Sequence, residues 1–196
     1  MATEASSGAN LSMYVNTSSG VKLNGISTVT TADIEADNGV IHAVNTVIAL
    51  PTVVTFATAD PTFATLVAAL TRADQPDFVS VLSTPAGTSP APFTVFAPTN
   101  AAFTALLAEL GASSLNDIDG PTLTATLNTH VIAGANVRAA DLVDGTVSTL
   151  GDDLVVDASN ATLTDPNGRV SNIIVVDVQA SNGVVHAIDK VLLPQL

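Results

Sequence analysis

The sequence says one thing twice. "NGVIHAVNTVIALP" (Asn38 to Pro51) returns as "NGVVHAIDKVLLP" (Asn182 to Pro194). The repeat also reaches further back. "LSMYVNTSSGVKLNG" (Leu11 to Gly25) aligns without a gap with "LVVDASNATLTDPNG" (Leu154 to Gly168). After one added residue in the second copy, "TADIEADNGVIHAV" aligns with "VVDVQASNGVVHAI". Copies separated by so long and steady a spacing are tandem domains rather than solenoid repeats. Nothing before residue 52 matches the stretch from Thr52 to Gly151. The chain is therefore expected to hold the C-terminal part of one domain (residues 1–51), followed by one complete domain (residues 52–196).

Composition bounds what these domains can be. Hydrophobic residues make up 47% of the 196 and charged residues 12%, which is ample for a core and unlike a disordered chain. The net charge of −13 comes from 18 acidic residues against 5 basic ones. Such a surface repels nucleic acid, because no cluster of lysine and arginine exists to displace counterions from phosphates. The absence of cysteine excludes disulfides, thiol chemistry and cysteine-based metal sites. No apolar run approaches the length needed to span a bilayer. The opening "MATEASSGANLSMYV" lacks the basic and apolar regions of a secretory signal, so an exported form is expected to take its signal or anchor from outside these residues.

Punctuation within residues 52–196 predicts α+β architecture. "TADPTFATLVAALTRAD" reads as a helix with Asp60 as N-cap and Pro61 in its first turn, and Phe63, Leu66, Val67 and Leu70 form one apolar stripe. "FTVFA" reads as a short strand. "PTNAAFTALLAELG" reads as a helix capped at Thr99 or Asn100 and stopped by Gly111, and "DGPTLTATLNTHVIAG" repeats the cap-then-proline device at Asp119 to Pro121. From Val147 onward the runs "TVSTLG", "DLVVDA", "ATLTDPNGRV", "IIVVDV", "VVHAI" and "KVLLP" read as strands, with "DPNG" as a hairpin turn. Helices first and strands later argue sheets under a helical cover.

Three stretches in order, "FTVFAPTNAAF" (Phe93 to Phe103), "LNTHVIAG" (Leu127 to Gly134) and "NGVVHAIDKVLLP", resemble the fasciclin, or FAS1, family. The resemblance covers residues 52–196, and residues 1–51 resemble the end of a preceding FAS1 domain. It implies an α+β FAS1-type fold of short twisted sheets covered by helices. It also implies a non-enzymatic interaction module in tandem arrangement, working in adhesion through protein or glycan contacts at the cell surface, in the periplasm or in the extracellular space. Thr129 stands where many animal members have the tyrosine of a Tyr-His pair linked with integrin recognition, so that activity is not expected here.

The residues themselves suggest little chemistry. His186 shares a strand face with Val184 and Ile188, and His42 likewise with Val40 and Val44. Both read as hydrogen-bonded structural residues, together with Asp189 of the same motif. His130, near a helix end, is read as structural or as part of a binding surface. No G-x-S-x-G elbow is present, three scattered histidines do not make a zinc site, and "DPNG" lacks the alternating ligands of a calcium loop. No metal or cofactor is expected. Thr94, Val95, Phe96, Ala97, Pro98, Thr99 and Asn100 have two readings: core residues and a helix cap, or a strand-to-helix junction offered to a partner. Sequons at Asn10, Asn16 and Asn160 carry glycans only in a secreted eukaryotic protein.

A rival reading is a carrier of an apolar small molecule such as a carotenoid, held in a groove beside "FTVFAPTNAAF". For the lone ending three outcomes are open: a loose piece, packing on its own chain, or a homodimer through residues 1–51.

Overall fold

The structure is a computed structural model, and it describes residues 10–195. Residues 1–9, part of the incomplete copy, and Leu196 lie outside the described residues. The first copy forms a four-stranded sheet in the order β1 (Val15–Asn16), β2 (Lys22–Leu23), β3 (Ser27–Ala36), β4 (Gly39–Val44). Five helices follow in the second part: α1 (Val53–Ala59), α2 (Ala64–Leu70), α3 (Phe78–Leu82), α4 (Asn100–Leu110) and α5 (Gly120–Thr129). The strands interleaved with and following them are β5 (Phe93–Pro98), β6 (Val131–Ala133), β7 (Gly145–Val147), β8 (Leu154–Asp157), β9 (Thr162–Thr164), β10 (Val170–Ala180) and β11 (Gly183–Ile188). They make one seven-stranded sheet in the order β6-β5-β11-β10-β9-β8-β7.

The predicted helix caps are in place. The Asp60 side chain accepts from Thr62 N, Thr99 from Ala102 N and Asp119 from Thr122 N, and Gly111 ends α4 in the left-handed region at φ 65°. Two helices and one strand depart from the sequence reading. "VVTFATA" is α1, started by a capping box between Thr52 and Thr55, although its β-branched residues favour strand. The five-residue α3 is too short for a periodic signal, and Asp77 caps it through Ser80 N. "KVLLP" is not a strand. Val191, Leu192 and Leu193 are buried, and side chains rather than a neighbouring strand take up the amides of the last two.

Strand β5 comes from the helical half of the sequence yet lies beside β11 near the centre of the sheet. The pairing is parallel and unbroken, Gly183 opposite Phe93 through Ile188 opposite Pro98. Alternation along β11 then splits the core in two. Val185 and Ala187 join Phe56, Phe93, Phe103 and Leu123 in the larger cluster under the helices. Ile188 joins Phe96, Leu154, Leu163, Ile173 and Leu192 in the smaller one, where the sheet curls on itself.

The two copies of the repeat fold into the same hairpin. In β3–β4, Val29 faces Val44, Thr31 faces Ala43 and Ile34 faces Ile41. In β10–β11, Ile173 faces Ile188, Val175 faces Ala187 and Val178 faces Val185, with the two register shifts at the same places. Asp33 and Asp177 take up the irregularity at φ 56° and 58°. The outer edges differ, because β4 is the terminal strand of its sheet whereas β11 is followed by β5.

Residues 12–25 pack on their own chain. Ser12 exchanges hydrogen bonds with Gln179 on β10 (Ser12 N to Gln179 O, 2.9 Å; Gln179 N to Ser12 Oγ, 3.0 Å), and Gly25 lies against Ala59. The β3–β4 hairpin beyond them keeps most of its length exposed.

The glycine that opens each hairpin's second strand reports on that edge. A Cβ on Gly183 would lie 2.2 Å from the Phe93 carbonyl oxygen, a backbone atom that cannot swing aside; a Cβ on Gly39 would meet no atom of the described residues within 4 Å beyond its chain neighbours. Gly183→Ala is expected to cost at least about 2 kcal/mol in urea unfolding, by prying β5 from β11. Gly39→Ala is expected to stay within about 0.5 kcal/mol of the parent. Equal effects would show that β5–β11 contact does not set the requirement at Gly183.

Candidate functional site

Most of the residues singled out in the sequence lie on or beside β5 and β11 and are interior, whereas His42 is on β4 and Asp189, just past β11, is exposed. Thr94, Phe96, Ala97, Pro98 and Thr99 are buried, and only Val95 and Asn100 are partly exposed. The stretch read either as core or as a strand-to-helix junction offered to a partner thus lies between β6 and β11, with packing on both faces. Each polar group in it ties one element to another. Thr94 Oγ1 donates to Ala135 O (2.9 Å) and accepts from Val137 N (2.8 Å). Asn100 Oδ1 accepts from Thr65 N (2.9 Å) while its amide donates to Pro61 O (2.9 Å), fastening α4 to the start of α2.

His130 follows α5 and is wholly buried. Its Nδ1 lies 2.7 Å from the Thr126 carbonyl, which can only accept, so Nδ1 carries the proton. The bare Nε2 accepts from Leu192 N at 3.0 Å. Burial drives the pKa of this imidazole down to about 4; Thr126 and Asp165 oppose the shift and Arg169 adds to it. Next along the chain, Leu193 N donates to Asp165 Oδ2 (2.9 Å), and Asp165 is in turn held by Arg169 Nη1 (3.2 Å). His130 and Asp165 together clamp the segment after β11.

His186 is arranged the other way round. Its Nδ1 accepts from Asp177 N (3.3 Å), so Nε2 donates to Val137 O (2.9 Å), and Phe96 stacks on the ring at 5.8 Å between centroids. Burial lowers its pKa. Asp189 lies just past β11 and accepts from Asn172 N (2.8 Å), Asn172 Nδ2 (2.7 Å) and Ser171 Oγ (3.3 Å). Burial alone would raise its pKa, but the bonds from Asn172 and Ser171 together hold it below the usual carboxylate range. His42 repeats one feature of His186, accepting from Asp33 N at 3.2 Å, yet its side chain is half exposed. Thr129 is buried, its hydroxyl donating to Ala125 O (2.9 Å).

Asn182 carried no clear sequence signal, whereas an apolar groove beside "FTVFAPTNAAF" was one of the sequence readings. Asn182, from the repeated "NG", is buried and ties the start of α1 to the end of α3: it accepts from Val53 N (3.0 Å) and donates to Leu82 O (2.8 Å) and Thr84 O (2.9 Å). An apolar crevice of about 200 Å³ opens between the first three helices and the sheet, bordered by Val54, Ala57, Leu70, Val79, Val95 and Val131.

Both ring nitrogens of His130 and of His186 are committed to the backbone, which leaves neither free to move protons for a substrate. The consequence is a pH dependence of stability. The folded pKa of His130 lies below its ordinary value of 6.5, so its contribution is complete above pH 6.5 and is lost as pH falls through about 4. The loss is expected to reach about 3 kcal/mol, with His186 adding in the same direction. Urea titrations between pH 7 and pH 4 should show this slope, and it should flatten in His130→Asn. An unchanged slope would remove His130 as its cause.

Comparison with known proteins agrees with this architecture. The Fasciclin domain family model matches residues 1–51 and 61–194. Protein sll1483 of Synechocystis is 39% identical over 149 residues, covering 74% of this chain and 74% of its own length. The cell surface glycolipoprotein MPT83 of Mycobacterium tuberculosis is 36% identical over 145 residues, covering 72% of this chain and 60% of its own. The transforming growth factor-beta-induced protein ig-h3 of Sus scrofa is 34% identical over 183 residues, 24% of its length. Among solved structures, a FAS1 domain pair from the insect cell adhesion molecule fasciclin I shares the fold at a TM-score of 0.58 and 20% identity, covering 95% of this chain and 67% of that one. With a family match over nearly its whole length, the chain belongs to the fasciclin (FAS1) domain family.

Proposed function

We propose that this chain is a non-enzymatic interaction module of the cell surface or extracellular space, and that it acts in adhesion by contacting proteins or glycans. The observation that carries this reading is the use of its histidines. The groups best suited to acid–base work at neutral pH, His130 and His186, are spent on holding β11 and the segment after it. The outside of the molecule, by contrast, presents Asp74, Asp77, Asp117, Asp119, Asp144 and Asp153 on a rigid scaffold. Related proteins named for the cell surface and for cell adhesion support the same setting. The carrier reading gains no support from the crevice, which at about 200 Å³ is smaller than the roughly 300–1,000 Å³ of ordinary ligand pockets.

Surfaces coated with the whole chain are expected to retain cells or matrix-coated beads above an albumin control. Soluble chain should compete the attachment away, and rising salt should weaken it, as an acidic contact surface requires. Attachment equal to albumin on both cells and beads would overturn the adhesion reading.

A further inference from the structure

Residues 52–196 contain two Asn-Gly pairs, Asn167–Gly168 and Asn182–Gly183, and the fold treats them in opposite ways. A glycine after an asparagine leaves its own amide nitrogen unshielded by a Cβ, so that nitrogen can reach the asparagine Cγ. At Asn182 the fold prevents this. Asn182 is 1% exposed, its amide group is held by three bonds, and Gly183 is pressed on the Phe93 backbone. Asn167 and Gly168 are both exposed, and a Cβ on Gly168 would meet nothing of the described residues within 4 Å beyond its chain neighbours. Among the described residues, the groups that would react are held by one bond each: Asn167 Nδ2 donates to Pro194 O (2.7 Å) and Gly168 N to Asp165 O (2.9 Å). The place is mechanically important. Asp165 Oδ1 accepts from Asn167 N and Arg169 N (3.0 Å each), and Oδ2 accepts from Arg169 Nη1 (3.2 Å) and Leu193 N (2.9 Å). Arg169 Nη1 also donates to Val191 O (2.8 Å). Through Asn167, Asp165 and Arg169 this turn therefore fastens Val191, Leu193 and Pro194, all buried, after β11.

We propose that Asn167 is a site of spontaneous deamidation, and that its conversion to aspartate or isoaspartate releases the segment Val191–Pro194 from the turn between β9 and β10. The Gly168 nitrogen loses its proton and bonds to Asn167 Cγ, the Cγ–Nδ2 bond breaks, and ammonia leaves with that proton. Water then opens the cyclic imide. Cleavage at Cγ leaves aspartate, and cleavage at the backbone carbonyl leaves isoaspartate, with the chain running through Cβ. Either product removes the donor from Pro194 O and sets a carboxylate oxygen against that carbonyl, so two acceptors face each other. Isoaspartate also lengthens the backbone by one carbon between two amides that now share Asp165 Oδ1, which the tight turn cannot absorb while keeping both. The Asp165 carboxylate then loses the placement that holds Leu193 N, and the neighbouring bond from Leu192 N to His130 Nε2 loses its support. The added negative charge joins a surface already at −13. Nothing in this depends on the adhesion reading.

The test ages the whole chain in mildly alkaline buffer at body temperature, folded and in urea, and maps the products by mass spectrometry with fragmentation that separates aspartate from isoaspartate. In the folded chain Asn167 is expected to convert at least about ten-fold faster than Asn182, because a local opening suffices at one and a global one is needed at the other. In urea the two should convert at similar rates, since both precede glycine. Amide exchange at Leu192 and Leu193 is expected to be about ten-fold faster in the aged chain than in the fresh one. Freshly made Asn167→Asp should already show part of that increase. Asn167→Gln, whose longer side chain cyclises slowly, should keep its starting exchange rates through the same incubation. Equal conversion at 167 and 182 in the folded chain would overturn the proposal, as would an Asn167 that stays intact there while converting in urea. Unchanged exchange at Leu192 and Leu193 after conversion, or an Asn167→Gln chain that loosens with age as the parent does, would refute release of the segment.

Discussion

Most of this structure depends on the parallel contact between β5 and β11. It joins residues almost a hundred positions apart, and it works only because Gly183 lets the Phe93 backbone pass at van der Waals distance. Once the two strands are side by side, alternation assigns every neighbour its place. Val185 and Ala187 face the helices, Ile188 faces the curled end of the sheet, and Phe96 settles on His186. The polar groups of the opening stretch then act as fasteners: Thr94 holds the chain after β6, and Asn100 holds α2. The same hairpin without that contact, β3–β4, shows the consequence. Its internal hydrogen bonds survive, but its apolar side chains stay in water.

The histidines illustrate how position converts a reactive side chain into a structural one. His130 and His186 use opposite tautomers, each fixed by a carbonyl on one side and an amide on the other. Burial keeps both neutral, and a neutral ring with one donor and one acceptor suits two backbone groups that would otherwise be buried without partners.

Much of this was legible in the residues. Asp60, Thr99, Asp119 and Gly111 marked helix ends correctly because capping is decided within one turn of backbone. The hairpin turn at "DPNG" was legible for the same reason. The α1 segment was not, since its β-branched residues favour strand and only packing against β5, β10 and β11 overrules them. "KVLLP" looked like a strand because Val and Leu are apolar, yet its amides are taken by His130 and Asp165, which no local pattern reveals. The stretch from Thr94 to Asn100 could be read as core or as surface, and that choice depends on whether a strand has one neighbour or two.

The sequence by itself determined the α+β class, the net acidic charge and the family membership suggested by three motifs. These follow from composition and from patterns within a few residues, and such information is written locally. Only the tertiary structure decided that β5 lies parallel to β11, that the opening stretch is interior, that residues 12–25 pack on β10 and α1, and that β4 ends its sheet among the described residues. Each of these is a contact between distant segments, and the free energy of such a contact belongs to the pair rather than to either stretch alone.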